Sequence, residues 1–101
     1  MPDLILNKDG EVAATLHHVT FDKVCNAYLG DIAFVAAPLG LQQLLERLEE
    51  LVEDQVFSLV DEVQSSVDAY ELTVRFSDGG SLRVYDLYVS KSGEFSFRVD
   101  R

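Results

Sequence analysis

The side chains in this chain that can carry chemistry are mostly carboxylates, and half of them stand in one stretch. Between Glu46 and Glu71 there are nine acids (Glu46, Glu49, Glu50, Glu53, Asp54, Asp61, Glu62, Asp68 and Glu71) against a single base, Arg47. Paired carboxylates do acid–base work when burial among apolar groups raises the pKa of one of them. Nothing in this run singles out such a pair, and a domain this small leaves little room for a cleft that would desolvate one acid. Glu50, Asp54 and Asp61 could gather a divalent cation, but the stretch lacks the glycine and the alternating acids of a calcium loop.

The other reactive types are sparse. His17 and His18 are the only histidines. In a strand their rings point to opposite faces, which is wrong for shared metal ligation. A lone Cys25 cannot form an internal disulfide and implies no cysteine-based zinc site, and is expected as a small buried apolar residue. No Gly-x-Ser-x-Gly and no glycine-rich phosphate loop occurs, so hydrolase and nucleotide-binding readings lose their usual warrants. The expectation is a non-enzymatic chain with no metal and no cofactor, a small enzyme using a carboxylate pair being the least favoured alternative.

The chain has 101 residues, 48% of them hydrophobic and 10% aromatic, and reads as one folded domain over residues 1–101 without repeats or low-complexity runs. Its longest apolar run, Ile32 to Leu39, is far shorter than the roughly 20 residues a membrane-spanning helix needs. The N-terminus, MPDLILNKDG, has no basic start followed by an apolar region, so a cytoplasmic location is expected. A net charge of −10 repels nucleic acid and anionic membranes and favours basic partners. A uniformly acidic surface would instead serve solubility or salt adaptation, and Asp3, Asp9, Asp22 and Asp31 keep that reading open. The clustering between residues 46 and 71 argues for the first.

These side chains must be positioned by the surrounding elements. Asp3–Asn7 and Glu11–Thr20, joined through Lys8-Asp9-Gly10, read as a hairpin because Asp-Gly supplies the positive φ of a tight turn. Thr20 can cap a short helix over 21–29, where Phe21, Val24, Cys25, Tyr28 and Leu29 recur at helical spacing and Gly30 stops it. Asp31–Ala37 reads as a short buried strand ending at Pro38. From Leu41 the period is helical, with Leu41, Leu44, Leu45, Leu48, Leu51 and Val52 on one side. After Val67 it becomes two, predicting a three-stranded meander: Tyr70–Phe76, Ser81–Ser90 with a bulge or two covered faces near Tyr85-Asp86-Leu87, and Glu94–Asp100. The fold class expected is α+β: an antiparallel sheet, made of the C-terminal meander and the N-terminal hairpin, packed on one long amphipathic helix.

Wound at about 100° per residue, Glu46, Glu49, Glu50, Glu53, Asp54, Asp61 and Asp68 share an arc of roughly 140° opposite the leucine seam. The pairs Glu46/Glu50, Glu49/Glu53 and Glu50/Asp54 are like charges at i, i+4, each costing about 0.2–0.5 kcal/mol with no interleaved lysine. A negative ridge that serves a partner is one explanation; drift is the other, because costs this small escape selection. Phe57 divides two outcomes. A helix unbroken through Val67 sets its ring amid the acids as an interface anchor. A break near Gln55 turns Val56–Val60 into another element and sends the ring into the core.

The leading expectation is therefore a non-catalytic binder that neutralises a basic, nucleic-acid-handling protein such as a nuclease, with Glu46, Glu49, Glu50, Glu53, Asp54, Phe57 and Asp61 as its contact residues. Toxin-immunity proteins, antitoxins and phage anti-defence inhibitors share this size, acidity and lack of catalytic motif, an analogy of class only. The alternative is a homodimeric structural or regulatory module that pairs through an exposed last strand, Glu94–Asp100, with Phe95 and Phe97 beneath.

Overall fold

The computed structural model describes residues 2–99. In chain order the elements are β1 (Asp3–Leu6), β2 (Val12–Asp22), β3 (Ala27–Phe34), α1 (Leu39–Glu53), α2 (Phe57–Asp68), β4 (Thr73–Arg75), β5 (Ser81–Arg83), β6 (Tyr85–Val89) and β7 (Glu94–Arg98). Among the described residues the strands form one seven-stranded sheet in the order β5-β4-β1-β2-β3-β7-β6, with antiparallel neighbours throughout. The fold is α+β, a curled half-barrel with two helices packed against it. Its curl is measurable: Phe76, just past β4, brings its ring 5.2 Å from that of Tyr28 on β3, although β1 and β2 lie between their strands.

The concave side of the sheet is apolar. Ile5, Leu16, Val74, Phe95 and Phe97 meet Leu41 and Leu45 of α1 and Val67 of α2 in one core. Each such side chain contributes about 1.5–3 kcal/mol when fully buried. A row of rings, Phe95, Phe97, Tyr28 and Phe21, crosses from β7 through β3 to β2 at centroid separations of 5.2, 5.6 and 4.9 Å.

The first hairpin forms as expected. Asn7 Oδ1 accepts from the backbone N–H groups of Asp9 and Glu11, and Gly10 takes φ +84°.

The helix expected over 21–29 is instead the turn of a second hairpin. Asp22 Oδ1 accepts from the N–H groups of Val24 and Cys25, Asn26 takes φ 53°, and Phe21 pairs across the strands with Tyr28. Phe21 on β2, Val24 and Cys25 in the turn, and Tyr28 and Leu29 on β3 together fall at a helical spacing. Cys25 consequently sits exposed at the turn, contrary to its expected burial. The strand expected over Asp31–Ala37 ends at Phe34, and only Ile32 within it is buried; Ala33–Ala36 are exposed.

The C-terminal strands do not form a three-stranded meander. The segment 81–90 is interrupted at Val84, with β5 pairing to β4 at one edge of the sheet and β6 pairing to β7 at the other. The irregularity expected near Tyr85-Asp86-Leu87 is present as a register shift between Tyr85 and Tyr88, with Asp86 at φ 54°. Strand β7, through Arg98, lies between β3 and β6 with Phe95 and Phe97 buried, so it presents no free edge for pairing with a second copy.

One long helix is replaced by two. After Glu53 the chain closes a Schellman turn: Val56 N–H donates to the Leu51 carbonyl and Gln55 N–H to that of Val52, with Gln55 left-handed at φ 60°. Glycine is the usual residue there. A glutamine costs about 1–2 kcal/mol in that conformation and leaves no stop signal in the sequence.

Candidate functional site

The acidic segment folds as the corner between α1 and α2, which pack on each other and on β6. On α1 the stripe Leu41, Leu45, Leu48 and Leu51 is buried, while Glu46 and Glu50 stand in solvent. Asp54 is the C-cap of α1, Phe57 the first residue of α2, and Asp61 lies one turn further on; all are exposed. None of the ion pairs among the described residues involves Glu46, Glu50, Asp54 or Asp61.

Phe57 follows neither expected course. The helix does break before it, yet the ring is 62% exposed, with Val56 and Leu59 also partly exposed beside it. The inner stripe of α2 is held instead by Val67 and by polar contacts to the β5–β6 segment. Gln64 Nε2 donates to the Leu87 carbonyl, Asp68 Oδ1 accepts from the Asp86 N–H, and the Asp68 carbonyl accepts from Arg83.

Glu49 and Glu53 depart from the expected ridge. Glu49 is only 8% exposed, and its Oε1 has no hydrogen-bond partner among the described residues. Lys91, from the turn between β6 and β7, places Nζ 3.1 Å from Glu53 Oε2 and 3.8 Å from Glu49 Oε1. The i, i+4 pair of acids thus shares a lysine that is distant in sequence. The hydrogen bond to Glu53, with the charges of Glu53 and Glu49, holds the Lys91 pKa above its ordinary 10.5. Half-buried Tyr88 is raised above 10.0, by burial first and then by Glu49 and Glu53, against an opposing effect of Lys91.

Between α1 and this turn opens a cleft of about 510 Å³. Its apolar lining is Ile32, Phe34, Leu45 and Val89; Glu46, Glu49, Glu50 and Lys91 supply the charge. A cavity of this size in a chain this short was not expected. One signal pointed to it: at 100° per residue Glu49 lies only about 40° from Leu45, at the edge of the acidic arc nearest the buried stripe. The basic member, Lys91, and the wall residue Phe34 carried no signal.

The histidines form no joint site. His18 Nδ1 lies 2.9 Å from Asp31 Oδ2 in a β2 bulge where His18 takes φ 56°, and His17 Nε2 lies 3.3 Å from Thr15 Oγ1. No group of three or more His, Cys, Asp or Glu side chains among the described residues is placed to hold a metal ion, and no described helix is long and apolar enough to cross a membrane.

Comparison of this chain with protein-family models, curated proteins and solved structures finds no match.

Proposed function

We propose that the protein is a non-catalytic binder of a basic protein, acting as an inhibitor or neutraliser of a nucleic-acid-handling partner. The reading rests on Phe57: a ring 62% exposed at a helix corner, flanked in sequence by the exposed carboxylates of Asp54 and Asp61. An exposed aromatic rimmed by charge suits an interface in which charge steers the encounter and burial of the ring holds it. Glu46 and Glu50 extend the negative surface along α1. Carboxylates about 5–6 Å apart on a helix face can occupy positions that otherwise receive nucleic-acid phosphates, the groups that supply most non-specific affinity. Glu49 and Glu53, turned toward Lys91, are removed from the contact set.

The test is capture of a partner from the native host at low salt, followed by titration of the purified pair. Affinity is expected to fall steeply between roughly 50 and 500 mM salt, and to fall further when Glu46→Gln, Glu50→Gln, Asp54→Asn and Asp61→Asn are combined. An affinity indifferent both to salt and to those four changes would end the proposal.

A further inference from the structure

We propose that the cleft between α1 and the β6–β7 turn binds a small organic amine, with the ammonium held by Glu49 and the apolar body against Phe34, Leu45 and Val89. The site shares Glu46 and Glu50 with the proposed partner-binding face, but the residue that holds the ammonium, Glu49, lies outside that contact set, so the inference does not rest on that reading.

Three observations carry it. The volume, about 510 Å³, lies within the range of small-molecule sites, and the lining joins the four apolar side chains to the polar Gln42, Glu46, Glu49, Glu50, Ser90 and Lys91, a combination that suits a ligand with one apolar and one charged end. The charge is one-sided: Glu46, Glu49 and Glu50 stand against Lys91 alone, which selects a cation and rejects an anion. Finally, Glu49 is a carboxylate 8% exposed whose Oε1 has no hydrogen-bond donor among the described residues. Lys91 does not fill that role, because at 3.8 Å it is too far to bond Glu49 and is already committed to Glu53 at 3.1 Å. A buried acceptor without a donor is unfavourable, and a ligand N–H would satisfy it. Lys91 is 72% exposed at the side chain, so it can yield to an entering group while keeping its bond to Glu53.

The cation is organic rather than a metal ion. The acids do not converge as a ligand set, and four apolar walls offer nothing to a bare ion but suit a hydrocarbon body.

The experiment is an amide NMR titration with 2-phenylethylamine at neutral pH, alongside 2-phenylethanol and 3-phenylpropanoate as neutral and anionic controls of similar shape. The amine is expected to shift the amides of Ile32, Glu49 and Val89–Gly93 saturably, at a Kd of about 1 mM, as suits so small a ligand. The alcohol and the acid are expected to bind at least tenfold more weakly. Glu49→Gln, which keeps the shape, should weaken the amine at least tenfold, while Lys91→Gln, in an exposed turn, should strengthen it by removing the competing ammonium. The proposal is overturned by absence of saturation, by equal binding of the alcohol, by an unchanged Kd in Glu49→Gln, or by a weaker Kd in Lys91→Gln. Binding of a lysine-rich peptide in the same place without binding of the amine would likewise overturn it and assign the cleft to a protein partner.

Discussion

Lys91 Nζ donates to Glu53 Oε2 over 3.1 Å, tying the turn after β6 to the last residue of α1. Replacing Lys91 with Gln leaves Glu49 and Glu53 as an unrelieved like-charge pair on adjacent turns. The variant is expected to melt at a lower temperature than the parent at low salt, and the gap should narrow as added salt screens the exposed charges. Parallel melts across a salt series check this; a gap independent of salt would show that the charge is not the cause.

The same contact fixes the response to alkali. Lys91 and Tyr88 both have pKa values raised on folding, above 10.5 and 10.0. A group whose folded pKa is raised contributes stability that is complete below its unfolded value and is lost as pH rises through the folded one. Stability should therefore hold steady up to about pH 10, for these two groups, and decline beyond it. Denaturant midpoints between neutral pH and pH 12 would show the decline, and Tyr88→Phe should remove the phenol's share of it while leaving that of Lys91.

Gly30 has no room for a side chain. A Cβ there would stand 2.7 Å from the His17 carbonyl oxygen, 3.0 Å from that of His18 and 3.0 Å from the Phe95 ring. Two of these neighbours are backbone in the β2 bulge and the third is a buried ring, so none can yield cheaply. Gly30→Ala is expected to cost about 1–3 kcal/mol, measured as a shift of the denaturant midpoint at unchanged slope.

Gln55 gives the opposite case. Held left-handed at φ 60°, it should be replaced by Gly with a gain of about 0.5–1 kcal/mol, the relief of strain being partly offset by the greater freedom of glycine in the unfolded chain. Gln55→Val, β-branched at positive φ, should lose at least about 1 kcal/mol. Thermal melts of the pair decide whether the helix break is imposed by this residue or by the packing around it.

Phe57→Ala separates a docking ring from a structural one. Because the ring is largely exposed, stability should change by no more than about 0.5 kcal/mol, while affinity for a captured basic partner should fall at least tenfold, as for an interface anchor. A large loss of stability would reassign the ring to the fold.

Much of the architecture was written in local patterns. Leu41, Leu45, Leu48 and Leu51 repeat with the helical period, and Asn7 to Gly10 carries its own turn chemistry. The alternation of Phe95 and Phe97 with polar neighbours marks a strand wherever that strand is placed. Those features determined the α+β class, α1, the first hairpin and the existence of the last strand, because each depends on residues a few positions apart.

Partner choice between strands was not so determined. Residues 81–90 read as one strand, yet the two ends of that segment join opposite edges of the sheet, since nothing within a strand's own alternation states which neighbour will take its hydrogen bonds. Only the tertiary structure decided the rest: the break at Gln55, the exposure of Phe57 despite that break, the turn of Glu49 into a cleft and its approach to Lys91. The break is closed by local hydrogen bonds but at a glutamine, which announces no stop, and the approach of Lys91 to Glu49 joins residues tens of positions apart, which no local period can encode.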